Sequence, residues 1–183
     1  DEVEELVKEL RDSLKRIREV AKELHDRNKE LLDRIKRLVD ELLKEIEKVL
    51  KEIEETKKDS DKDKDKVSKE VRERVKEIVK RVRDALRELE KRVRDVIEEN
   101  KDMLKKLEDH SRRLKEKVDR TDDKEEVRRK LEEAVREHER ELERMAREIR
   151  KSLEDLKRVL EEVAERIKEV LRRLEKRVKE VED

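Results

Sequence analysis

The chain has 183 residues, of which 62% are charged and 31% hydrophobic, and it contains no Gly, Pro, Cys, Trp, Tyr or Phe. Lys plus Arg is 57 and Asp plus Glu is 57, so the formal net charge is zero. This excludes disulfides and thiolate chemistry, leaves no ring to stack on a base, disfavours sheets joined by tight turns that want positive φ, and argues against the clustered basic face of a nucleic-acid binder.

From Val3 to Ile53 apolar residues recur in steps of four and three, as in Leu31, Ile35, Val39, Leu42, Ile46 and Val49. This spacing is one face of an α-helix, and it rules out the disorder that high charge alone would suggest. Two positions of the lattice are polar, Ser13 and Asn28. The pattern repeats every 18 residues: Ile17, Ile35 and Ile53 are equivalent, as are Val3, Ala21 and Val39. Eighteen residues in five turns is about 3.6 per turn, the period of a straight helix, so little supercoil is expected.

Residues 59–66 alternate Asp, Ser and Lys without an apolar residue, and they predict a loop. A second stripe follows through Val71, Val75, Ile78 and Val82 to Val118, interrupted by Asn100 and Ser111. A second loop is expected at 119–123, where Thr121, Asp122 and Asp123 are suitable N-caps and Asp122 with Glu125 resembles a capping box. A third stripe runs from Val127 to Val181 and carries His138. The expectation is an all-α, near-straight antiparallel three-helix bundle, up-down-up, forming a single domain over 1–183. Its helices lie at about 2–58, 67–118 and 124–182, each of about 55 residues and about 80 Å.

Stripes this regular, with an 18-residue repeat and a restricted alphabet, resemble those of computationally designed parametric helical bundles with buried hydrogen-bond networks. The resemblance covers the whole chain. It implies a structural scaffold or stable rod without natural biochemical activity, in which buried polar groups fix register and topology. Such designs often place Gly or Pro in their loops, and this chain has neither. The start at Asp1 rather than Met is expected of a trimmed product, and no signal peptide opens the chain. No apolar run approaches the roughly 18 residues of a membrane span, so a soluble protein is expected.

The polar positions are the candidate site. Antiparallel neighbours across short loops pair residues whose numbers sum to about 124 for the first two helices and about 242 for the last two. Asn100 then lies level with His25, with Asn28 and His138 each about a turn away, which predicts one buried cluster of His25, Asn28, Asn100 and His138. Ser13 falls level with His110 and Ser111 as a second group, with His110 partly exposed. Two buried histidines would also allow a pH-responsive bundle, because burial disfavours the charged imidazole. Metal binding by His25 and His138 is not expected: the residues three before the three histidines of the chain are Lys22, Leu107 and Val135, so the Glu-x-x-His pattern of metal-carboxylate bundles is absent. The serines lack a nucleophile elbow, and no enzyme is expected.

Residues 59–70 offer a weak calcium candidate. Asp59, Asp61, Asp63, Asp65 and Glu70 occupy positions 1, 3, 5, 7 and 12 of a pattern that resembles an EF-hand loop, but Lys64 stands where that turn demands Gly. No cofactor or partner is required. A monomer is expected, with homo-oligomers open if leftover apolar positions such as Val7, Val20, Leu38 and Leu43 meet another chain.

Overall fold

The computed structural model describes residues 2–58, 64–121 and 124–182. They form three α-helices: α1 over Glu2–Lys58, α2 over Lys64–Arg120 and α3 over Glu125–Glu182. The helices have 57, 57 and 58 residues.

The loop expected at 59–66 is shorter than its sequence suggests, because residues 64–66 belong to α2. Lys is a good helix former, and an acidic residue in the first turn complements the positive end of the helix dipole. At its other end α2 continues past Val118 to Arg120. Thr121 stops it: its N–H donates to the Val118 carbonyl at 3.1 Å, and its hydroxyl donates to the Lys117 carbonyl at 2.8 Å. Thr121 therefore closes the C-terminus of α2 instead of opening α3, using carbonyls that a helix end otherwise leaves bare. Asp122 and Asp123, with the capping box expected there, lie outside the described residues. The Lys124 carbonyl accepts the Arg128 N–H at 3.0 Å, and Glu125 and Glu126 put acidic groups in the first turn of α3.

The chain divides into two compact units, each built from a segment of all three helices. The first is Asp1–Glu30 with Arg94–Asp155; the second is Leu31–Val93 with Leu156–Asp183. In the first, Lys117 meets Glu9 at 3.4 Å and Asn100 meets Asn28 at 3.0 Å. Rising numbers on α1 thus meet falling numbers on α2, so the two run antiparallel. Arg18 reaches Glu141 at 3.6 Å while Ser13 reaches His138 at 2.7 Å, so α1 and α3 run parallel. In the second unit Arg81 meets Glu45 at 3.5 Å, Arg74 pairs with Glu52, and Arg83 reaches Glu175 at 3.8 Å. Both units are antiparallel three-helix bundles in up-down-up order.

The cores follow the stripes. One end of the first unit packs Leu6, Leu10, Leu114, Val118, Leu131 and Val135 together, with Val3, Val7, Val127 and Ala134 around them. The second unit buries Ile35, Ile46, Ile53, Val82, Ile167 and Leu174 to 1% exposure or less. Apolar flank positions are used within the bundles. Val20 is buried and Val7, Leu38 and Leu43 are half-buried, and no large apolar side chain among the described residues is exposed. On the charged faces, ion pairs form both along one helix and between helices. Glu23–Arg27 forms at 3.1 Å, but Arg81, four residues after Glu77, reaches across to Glu45.

Candidate functional site: the buried polar groups of the first unit

Among the described residues, four polar side chains are buried within these aliphatic cores: Ser13 at 6% exposure, Asn28 at 4%, Asn100 at 2% and His138 at 2%. All four lie in the first unit. They form two groups, not the single cluster expected.

The first group pairs α1 with α2. Asn28 Nδ2 donates to Asn100 Oδ1 at 3.0 Å, and Asn100 Nδ2 donates back to Asn28 Oδ1 at 3.4 Å. Asn100 Nδ2 also donates to the Val96 carbonyl one turn earlier at 2.7 Å. Two amides facing each other in this way satisfy donor and acceptor together, which an Asn facing an aliphatic side chain cannot do.

The second group joins all three helices. His138 on α3 places Nε2 2.7 Å from Ser13 Oγ on α1 and Nδ1 3.1 Å from Ser111 Oγ on α2. A hydroxyl can donate or accept, so either neutral tautomer is satisfied at both nitrogens. The charged imidazole would also find two acceptors here, so hydrogen bonding does not forbid it. Burial nevertheless lowers the His138 pKa from 6.5, because the cation loses its hydration; the neighbouring His110 lowers it further, and Glu139 works the other way.

His138 therefore joins the serines and not the asparagines, and His25 joins neither group. His25 is exposed. It shares its helical phase with Val7 and Leu43, which flank the core, and a polar ring on that flank turns outward. His110 is exposed beside Ser111. The regrouping comes from register. Contacting residues of α2 and α3 add to 249 at Ser111 and His138, against the expected value of about 242. Part of the difference is the loop: α2 ends at Arg120 and α3 begins at Glu125, later than a loop centred on residue 121. Part is side-chain direction. A helical residue covers the surface about one position N-terminal to its Cα, so each antiparallel partner adds about one to the sum. For α1 and α2 the sum is 126 at Glu9 and Lys117 and 128 at Asn28 and Asn100, close to the expected value, and Asn28 does meet Asn100.

A serine hydroxyl on an imidazole can be a nucleophile with its base. Here the second imidazole nitrogen meets another hydroxyl and no carboxylate, and the burial of Ser13 and His138 closes the pair to substrate. Of the calcium candidates, Asp59, Asp61 and Asp63 lie outside the described residues. Asp65 and Glu70 lie in the first turns of α2. An α-helical backbone points the carbonyl of residue 65 along the helix axis toward residue 69. The loop carbonyl that an EF-hand supplies at its seventh position is therefore not offered to a cation. Among the described residues, no group of three or more His, Asp or Glu is placed to hold a metal, and no helix is long and apolar enough to cross a membrane.

No family model and no curated protein matches the chain. A solved structure described as a computationally designed three helix bundle is similar, with TM-score 0.51 and 18% identity, over 98% of this chain and 83% of that one. At this identity the likeness is one of fold, and it agrees with the three antiparallel helices described above.

Proposed function

We propose that this chain is a designed structural scaffold without natural biochemical activity, whose buried polar groups fix helix register and topology. The observation that carries the reading is the pair of internally hydrogen-bonded groups in otherwise aliphatic cores, Asn28–Asn100 and Ser13–His138–Ser111. Because apolar positions recur every three or four residues, a shift of one helix by about a turn still sets apolar on apolar side chains, and aliphatic contacts discriminate poorly among such neighbouring registers. A buried amide left without a partner costs about 1–3 kcal/mol, so each polar group penalises the registers that separate it from its mate. The restricted alphabet and the similar designed bundle support the same reading.

The test replaces the set by apolar residues: Ser13→Ala, Asn28→Leu, Asn100→Leu, Ser111→Ala and His138→Leu together. Spin labels at Lys15 and Lys105, both exposed, report α1–α2 register by pulsed EPR. The reading expects one narrow distance in the parent and a broadened or multiple distribution in the variant. An unchanged narrow distance in the variant would assign register to aliphatic packing alone and end the proposal.

A second reading, a bundle loosened at low pH, is favoured by the burial of His138 between two hydroxyls. With His25 exposed, any such response rests on His138.

A further inference from the structure

Helix α2 carries 21 Lys and Arg against 15 Asp and Glu, although the whole chain is neutral. The excess is patterned. Lys76, Lys80, Arg83 and Arg87 follow one another on a single exposed face of α2, beside an open cleft that also takes in Asp84 and, from α3, Glu175. Their spacing is four, three and four residues. On α1, Glu19, Glu23, Asp26 and Glu30 are exposed on one face with the same spacing. At 1.5 Å per residue both stripes rise by about 6, 4.5 and 6 Å. Because four-three-four reads the same in both directions, the charges come into register whether the two helices approach parallel or antiparallel.

We propose that these stripes are the two halves of an interface between copies of this chain: the basic face of α2 on one molecule seats on the acidic face of α1 on a second. The occupant follows from commensurate charge. A helix presenting carboxylates at this spacing matches all four cations, and this chain presents one. Zero net charge removes the general repulsion that would hold two copies apart. The existing pairs at these residues are a slight obstacle. Arg83–Glu175 at 3.8 Å and Glu23–Arg27 at 3.1 Å join side chains 55 to 62% exposed. Such solvated pairs are worth little and exchange readily for a new partner. The contact is heterologous, with different patches on the two molecules, so copies join head to tail into rings or open chains.

The experiment is sedimentation equilibrium of the full chain across protein concentration, at about 20 mM and about 500 mM salt, since screening lengths fall severalfold over that range. The expected result is a weight-average mass that rises with concentration at low salt, with the association weakened about tenfold or more at high salt. Two charge-reversed variants separate the stripes: Lys76→Glu, Lys80→Glu, Arg83→Glu, Arg87→Glu in one, and Glu19→Lys, Glu23→Lys, Asp26→Lys, Glu30→Lys in the other. Each alone is expected to remain monomeric while keeping its helical circular dichroism, and an equimolar mixture is expected to associate again. A mass equal to one chain under every condition would overturn the proposal. So would association that survives both reversals. Binding of poly-glutamate by a parent that stays monomeric would also overturn it and reassign the α2 stripe to a foreign acidic helix. None of these outcomes bears on the buried polar groups, so this inference and the proposed function fail separately.

Discussion

The facing asparagines allow a double-mutant test with unequal arms. In Asn28→Leu, Asn100 keeps its bond from Nδ2 to the Val96 carbonyl at 2.7 Å, but Oδ1 loses the donor that stood 3.0 Å away. In Asn100→Leu, both polar atoms of Asn28 lose their partner at once. A buried polar group left without its partner costs about 1–3 kcal/mol, so Asn28→Leu should lose an amount in that range and Asn100→Leu at least as much. The double variant removes every orphan and adds apolar contact, so it should be neutral or more stable than the parent. The coupling between the two sites should then be about 2 kcal/mol or more, well beyond the scatter expected of independent positions. Guanidinium unfolding by circular dichroism gives the free energies. Hydrogen exchange at amides around residues 24–30 and 96–104 localises the loss to the first unit, independently of cooperative unfolding of the whole chain. If both single variants match the parent, the amides were never buried as paired groups. If the double loses the sum of the singles, the coupling is zero and the two amides contribute independently, without recognising each other.

Other outcomes follow from the same geometry. For His138 the folded pKa is lowered by burial, so its contribution is fully present above the unfolded value of about 6.5 and is lost as pH falls toward the folded one. Unfolding at pH 7.5 and 4.5 should show a loss that shrinks in His138→Asn, whereas His25→Asn should behave like the parent; equal losses in all three would remove the pH-responsive reading. Ser13→Ala leaves His138 Nε2 facing a dry core, while Ser111 is half-buried and water can replace its hydroxyl. The first should therefore cost about 1–3 kcal/mol and the second less, and imidazole nitrogen shifts should report opposite tautomer preferences. Thr121→Ala removes the hydroxyl bond to Lys117, so exchange should quicken in the last turn of α2 with a stability change below about 1 kcal/mol.

The stripes were legible because periodicity is a local property. Each helix needs only its own apolar spacing, and most residues that fill the two cores are those the spacing selects, although Val20, left over from the stripe, is buried as well. Asn28 and Asn100 were legible as a pair because an error of a turn still leaves them within reach. His138 meets partners other than those its stripe position implies, because its place depends on the α2–α3 register. That register depends on where Thr121 ends one helix and Lys124 opens the next, and no repeat in the stripe reports it. The hydroxyl chemistry offers a clue that periodicity does not: Ser13 and Ser111 are small groups on the lattice that can donate or accept, and a buried neutral imidazole wants an acceptor at one nitrogen and a donor at the other. Cross-helix pairs such as Glu45–Arg81 escaped for a related reason. An exposed Arg has both an i−4 Glu on its own helix and a neighbour's Glu in range, and the sequence ranks neither.

Among the described residues, every buried polar side chain lies in the first unit, while the buried core of the second is aliphatic throughout. One polar set can suffice, because a continuous helix cannot slide in one unit without sliding in the other. The 18-residue repeat makes this testable. Adding 18 to Asn28 gives Ile46, and subtracting 18 from Asn100 gives Val82; both are 0% exposed, and their numbers sum to the same 128. Moving the pair by Asn28→Leu, Asn100→Val, Ile46→Asn and Val82→Asn should therefore preserve stability and a single EPR distance between labels at Lys15 and Lys105. Moving only half of it, by Asn100→Val and Val82→Asn, leaves Asn28 opposite Val and Asn opposite Ile46. Pairing those amides would need a slide of 18 residues, about 27 Å, which strips both helices of their core contacts. The half-moved chain should instead keep its register and lose about 1–3 kcal/mol for each orphaned amide. Equal stability of the half-moved and fully moved chains would show that the two amides do not recognise each other, and that register in this protein is set by something other than its buried polar groups.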